Sequence, residues 1–128
     1  MGYLHQVRIR YGECDMQHVV FNANYLAYID DAVDTWFRSV LGPIEDAGFD
    51  FMVKKCTIEW PSAGRFGETL VLAPRVSRWG NTSFDVEVVG TAGERPVFTA
   101  VLLYVSTTPG EAVPTPVPAL VRTALDAS

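Results

Sequence analysis

Asn24-Tyr25-Leu26-Ala27-Tyr28-Ile29-Asp30-Asp31-Ala32-Val33-Asp34-Thr35-Trp36-Phe37-Arg38-Ser39-Val40-Leu41 is the longest helical pattern in the chain. Its apolar residues Tyr25, Ile29, Ala32, Val33, Trp36, Phe37, Val40 and Leu41, joined by Leu26 and Tyr28, spread over roughly 200° of the circumference, against ~100° for a helix covered on one side. Asp31, Asp34, Thr35 and Arg38 share the narrow remainder, and Asp34 with Arg38 has the spacing of a surface ion pair. A helix this apolar has to be wrapped. Gly42-Pro43 ends it, because Gly suits the position after the last turn and Pro cannot continue the helix.

The rest of the chain supplies the wrapping. Val7–Tyr11 alternates and reads as a first strand. After the helix come Phe51–Pro61, then Glu68–Trp79 through the turn Gly64-Arg65-Phe66-Gly67. A third segment follows Gly80-Asn81, with Phe84, Val86 and Val88 alternating against Ser83, Asp85 and Glu87, which marks one buried and one wet face. Beyond Ala92-Gly93-Glu94, Val97–Ser106 is apolar on both faces and needs a cover on the second, most simply a partner subunit, or else an apolar edge of the helix. Pro109, Pro114, Pro116 and Pro118 make an extended tail before a short helix over Ala119–Leu125. The expectation is an α+β single domain spanning residues 1–128, with one antiparallel sheet of about five strands, a four-strand meander included, curled around one helix.

Composition narrows the function. A net charge of −5 argues against nonspecific nucleic-acid binding. No apolar run reaches the roughly 18 residues of a membrane span. Met1-Gly2-Tyr3-Leu4-His5 lacks the basic and apolar regions of a signal peptide, and two cysteines, Cys14 and Cys56, suit a reduced cytoplasmic protein. No metal-ligand spacing occurs, and neither a Gly-x-Ser-x-Gly elbow nor a nucleotide-binding glycine loop is present.

Just before the helix lies Glu13-Cys14-Asp15-Met16-Gln17-His18-Val19-Val20-Phe21-Asn22-Ala23-Asn24-Tyr25, dense in polar groups. A helix start offers free N–H groups to an anion or carbonyl. Asp15 suits a turn or cap, and equally a base or nucleophile at a carbonyl carbon. His18 could bond Asp15, shuttle a proton or pack as a loop residue. Asn22 could donate to an oxyanion or cap the helix, and Asn24 reads as the cap. Asp30 or Asp31, inside the helix, is the rival base.

These residues resemble the hotdog-fold acyl-CoA thioesterases, in particular the 4-hydroxybenzoyl-CoA thioesterase group. The likeness rests on Asp15 to Ala32 and on Trp79-Gly80-Asn81-Thr82-Ser83-Phe84, and it runs unbroken over residues 5–120. Three positions depart from the pattern. His18 stands where the group has Gly, Val33 where an Arg follows the Ala, and Asn22 where some members carry His or Tyr. The resemblance implies a hotdog fold and hydrolysis of an acyl-CoA or acyl-carrier-protein thioester to acid and thiol. Asp15 would be base or nucleophile, with His18 and Asn22 as catalytic candidates. Backbone N–H groups at Asn22 and Ala23 would form the oxyanion hole. Tyr11, Val20, Phe21 and Tyr25 would line the substrate, and Glu59, Trp60 and Phe66 would come to the acyl pocket from a second subunit. A polyanionic substrate calls for local positive charge, for which Arg65, Arg75 and Arg78 are candidates. Arg78 with Asn81 and Thr82 is the better placed by resemblance. No cofactor is implied beyond coenzyme A or phosphopantetheine as part of the substrate. The chain would work as a homodimer or homotetramer with sites at the dimer interface.

Two other classes compete. A hotdog dehydratase or enoyl-CoA hydratase would use an Asp/His pair or a His with a helix acid. A non-catalytic acyl-CoA binding protein would not need an acid at the Asp15 position.

Overall fold

A computed structural model describes residues 2–128. The elements run β1 (His5–Arg8), α1 (Asn22–Leu41), β2 (Asp50–Glu59), β3 (Thr69–Trp79), β4 (Ser83–Ala92), β5 (Arg95–Thr107) and α2 (Ala119–Asp126), with 3₁₀ turns at Tyr11–Glu13 and Ile44–Asp46. All five strands form one antiparallel sheet in the order β1-β3-β4-β5-β2.

That order corrects the expected four-strand meander. Only β3, β4 and β5 are hairpin neighbours. β2 skips β3 and pairs with β5, with Asp50 opposite Thr107 and Glu59 opposite Thr99. The turn Gly64–Gly67 is therefore a crossing segment that passes from one edge of the sheet toward the other. The first strand also ends sooner than its alternation suggests. At Arg10 the chain turns into the 3₁₀ segment because the Glu13 carboxylate accepts the Arg10 N–H at 2.8 Å.

α1 buries Tyr25, Tyr28, Ile29, Ala32, Val33, Trp36 and Phe37. The stripe is narrower than the sequence implies, since Leu26 stays 48% exposed. The sheet presents Leu70, Leu72, Phe84, Val86, Val88, Phe98, Ala100, Leu102 and Tyr104 to it, all buried. α2 closes a flank, where the Trp36 Nε1–H donates to Ser128 Oγ at 2.9 Å. The Asp34–Arg38 pair forms at 3.0 Å and extends to Glu45. On the second face of β5, Val97 is buried, Val101 is exposed and Leu103 and Val105 are half-buried, so this subunit covers that face only in part.

One glycine sets a contact that reaches the site. A Cβ on Gly90 would lie 2.1 Å from the ring of Phe98, its cross-strand partner. The bare backbone lets that ring lie over it, and Phe98 in turn packs edge-on to Tyr25 at 5.5 Å. A sheet curled around one long helix in this way is the hotdog arrangement that the resemblance implies.

Candidate active site

The stretch before α1 folds into a tight hairpin. The Asp15 N–H donates to Val19 O at 2.9 Å and the His18 N–H to Asp15 O at 3.0 Å. Asp15 Oδ1 accepts the Gln17 N–H at 2.8 Å, the side-chain turn that Asp favours. His18 adopts φ 64°, the left-handed residue that closes a three-residue hairpin loop. This explains why Gly suits the position and why His, one of the side chains that tolerate this region, can replace it. The turn-forming and chemical readings of Asp15 are thus compatible, because only one carboxylate oxygen is committed. His18 is exposed and its imidazole makes no hydrogen bond among the described residues, so the Asp15–His18 pair on which a hydratase reading leans is not formed.

α1 then starts without a side-chain cap. Its N-cap is Phe21, which has no acceptor to offer, and the first two helical N–H groups, those of Asn22 and Ala23, have no partner among the described residues. Asn24 is not the cap. It lies inside the first turn, and its Nδ2 reaches back to Glu13 O at 2.8 Å. The same carbonyl accepts the Phe21 N–H at 3.0 Å, so Glu13 pins the helix start from outside. Its carboxylate also accepts the Tyr28 hydroxyl at 2.9 Å and Arg10 Nη2 at 3.1 Å. Burial pushes the Glu13 carboxyl up, but the bonds from the Arg10 backbone, the Tyr28 hydroxyl and the Arg10 guanidinium outweigh it and hold it below the usual range. Burial, followed by the bond to Glu13, pushes the Tyr28 hydroxyl up.

The candidate residues sort into two adjacent hollows. Tyr11, Asp15 and His18 line one of ≈ 500 Å³ with Phe66, whose ring meets Tyr11 edge-on at 5.9 Å. Val20, Asn22, Tyr25 and Trp60 line the other, of ≈ 310 Å³, where Trp60 packs against Tyr25 at 5.6 Å. Val19 and Val20, carrying the chain from Asp15 to Phe21, run between them. Trp60 and Phe66 therefore sit against their own subunit's Tyr25 and Tyr11, where contribution from a second subunit was expected. Ala23 and Phe21 are exposed at the helix start, and Glu59 is exposed at the end of β2.

The second cluster does not join them. β3 runs away from this end, and Arg78 lies roughly 30 Å along the strand from Thr69 at ~3.3 Å per residue. Arg78 is also spent, donating to Asp85 at 3.0 and 3.2 Å. The Asn81 carbonyl accepts the Val117 N–H and Arg122 Nη2, and the Thr82 carbonyl accepts the Ser106 N–H. This turn is an anchor for the C-terminal segment, with Arg122 stacked 5.2 Å over Trp79. One subunit does not bring Arg78, Asn81 and Thr82 to Asp15.

Sequence reasoning missed the residues that fix the crossing segment. Arg95 donates to Ser62 Oγ at 2.8 Å, to Ala63 O at 2.7 Å and to both Glu68 oxygens at 2.6 Å. Arg95 bonding, more than any other cause, holds the Glu68 carboxyl low, against burial. Between them Gly64 donates its N–H to Tyr25 Oη and accepts the Val20 N–H, each at 2.9 Å. A Cβ there would come within 2.9 Å of Ile9 Cδ1. No local pattern announces these ties, since each links positions far apart in sequence.

Solved structures share this architecture. A thioesterase-superfamily protein from Jannaschia sp. CCS1 is 19% identical, with a TM-score of 0.92 over 98% of this chain and 92% of its own. A Pseudomonas aeruginosa PAO1 protein is 23% identical, with a TM-score of 0.87 over 98% and 90%. A 4-hydroxybenzoyl-CoA thioesterase carrying an Asp-to-Asn mutation, in complex with 4-hydroxybenzoyl-CoA, is 20% identical, with a TM-score of 0.86 over 97% and 98%. At these identities the likeness is one of fold. No curated protein matches the chain. In sequence, the pattern describing the thioesterase superfamily matches residues 17–99, from just after Asp15 through the helix and three of the long strands into β5. The wrapped helix, the sheet order and that match agree: the chain belongs to the thioesterase superfamily.

Proposed function

We propose that the chain hydrolyses an acyl thioester of coenzyme A or of an acyl carrier protein, with Asp15 as the acting carboxylate. The observation that carries this reading is an uncapped helix start, with the Asn22 and Ala23 N–H groups free, a few residues from a carboxylate with one oxygen uncommitted. The helix dipole and those N–H groups favour the negative charge that the thioester oxygen gains in the tetrahedral state. Asp15 either takes a proton from the attacking water or attacks the carbonyl carbon itself. In both routes the C–S bond breaks, the thiolate leaves and takes up a proton, and water supplies the second carboxylate oxygen of the acid overall. Tyr11, Phe66, Tyr25 and Trp60 offer apolar walls for the acyl group. Aromatic acyl groups come first in the test, since the similar structures include 4-hydroxybenzoyl-CoA and gentisyl-CoA thioesterases. A panel of aromatic and aliphatic acyl-CoAs, with release of free thiol as the readout, is expected to give turnover on at least one class. Hydration of enoyl-CoA without thiol release would reverse the assignment.

The working unit we propose is a homodimer. β2 is a ten-residue strand at the sheet edge, with Met52 52% and Val53 47% exposed. A long, open edge is a template for another strand. β2 leads directly into Trp60, so a second copy paired along it would reach the hollow that holds Asn22. Sedimentation velocity is expected to show a dimer or a multiple of one, and an active monomer would refute this arrangement. No helix among the described residues is long and apolar enough to cross a membrane.

A further inference from the structure

Arg65 is a cation whose obvious acid is taken. Glu68 lies three residues on, yet both its oxygens are held by Arg95 at 2.6 Å, and from Arg65 it accepts only the backbone N–H at 2.8 Å. The other arginines are mostly engaged. Arg10, Arg38, Arg75, Arg78 and Arg95 each hold a carboxylate, and Arg122 spends its guanidinium on backbone carbonyls and the Trp79 ring. Arg75 and Arg78, the other two candidates for a polyanionic substrate, are thereby neutralised by Glu87 and Asp85. Among the described residues Arg8, Lys54, Lys55 and Arg65 have no acidic partner.

Of these, Arg65 is the one joined to the Asp15 hairpin. It forms an antiparallel bridge with Val19, whose carbonyl accepts the Asp15 N–H, and the next residue, Phe66, shares the Asp15 hollow. Two strand spacings put its backbone about 10 Å from that of Asp15, and its exposed side chain extends the reach. The two ends of a pantetheine arm, the thioester and the phosphate, call for the two groups this hairpin and its bridge bring together, the Asp15 carboxylate and an unneutralised guanidinium. Guanidinium geometry matches phosphate oxygens in pairs.

We infer that Arg65 binds a phosphate of the phosphorylated pantetheine carrier; this rests on the thioesterase reading above. Arg65→Gln leaves the backbone bond to Glu68 intact, so the fold is not at risk. The test is calorimetric titration of the full chain, as wild type, Arg65→Gln and Arg65→Lys, with free CoA, 4′-phosphopantetheine and pantetheine. Losing a charge-assisted contact is expected to weaken CoA about tenfold in Arg65→Gln, less in Arg65→Lys, and to leave pantetheine unchanged. If phosphopantetheine weakens in parallel with CoA, the contact is the phosphate that CoA shares with carrier proteins. If CoA alone weakens, it is a nucleotide phosphate. Equal CoA affinity in wild type and Arg65→Gln, equal loss on pantetheine, or no CoA binding by the wild type overturns the inference. A phosphate-dependent loss without hydrolysis of any thioester would keep this contact and sink the thioesterase reading instead.

Discussion

Asp15→Asn is expected to lower thioester turnover by about 10²–10⁴-fold, the range for a positioned acid or base, while the thermal midpoint stays where it was. Both halves follow from how Asp15 is held. Its Oδ1 accepts the Gln17 N–H at 2.8 Å and its backbone closes the hairpin to Val19 and His18. Asn supplies the same acceptor and suits the same turn, so the frame survives. What Asn removes is the basic, nucleophilic character of the second oxygen. Thiol release with an acyl-CoA, followed beside a circular-dichroism melt, separates the two effects. Near wild-type turnover would take the chemistry from Asp15 and leave Asp30 or Asp31 on α1 as the rival base. A single turnover in ¹⁸O-water tells the routes apart in the wild type. An ordinary oxygen of Asp15 in the product acid marks direct attack with water opening the anhydride at the Asp15 carbon, whereas base catalysis sends the heavy one.

The largest expected effect on stability lies at the other end of α1. Phe37 is fully buried and packs against Phe51 at 4.6 Å, Trp36 at 5.3 Å, Tyr104 at 5.8 Å and Phe84 at 6.1 Å. Phe37→Ala removes the ring on which helix, β2, β4 and β5 converge, at a cost of about 3–5 kcal/mol. Against a total of roughly 5–15 kcal/mol, that is about a fifth of the stability or more. The midpoint is expected to fall by roughly 10–20 °C for a chain of this size. Urea unfolding should show a lower midpoint with an unchanged slope. A cost below about 1 kcal/mol would mean that the ring cluster is not where the sheet closes on the helix.

The wrapped helix was legible because it is local. Apolar residues at helical spacing and the Gly42-Pro43 stop need no knowledge of distant partners, and β4 shows its buried face by simple alternation. Strand order was not legible. Nothing within Phe51–Glu59 tells β2 to choose β5 over β3, and the crossing segment is fixed by Arg95 and Tyr25, each far away in sequence. The site divides in the same way. Asp15 and the helix start lie within ten residues of each other and could be read directly. Asn24 looked like a cap because its residue type favours caps, but its amide goes to the Glu13 carbonyl and Phe21 takes the cap position. The Trp79–Thr82 turn carries a familiar motif but serves the C-terminal segment in this subunit.

The hairpin over Asp15–Val19 separates what has to stay from what is free to change. Its geometry is held by main-chain bonds and by one oxygen of Asp15, while the exposed side chains of Met16, Gln17 and His18 make none of the bonds that shape it. Two of those three positions accept any residue that tolerates a turn, and the third any residue that tolerates the left-handed region. The loop can therefore diversify its tips over the Asp15 hollow without moving the carboxylate. For laboratory evolution toward a new acyl group, these three codons are where a library would cost the fold least.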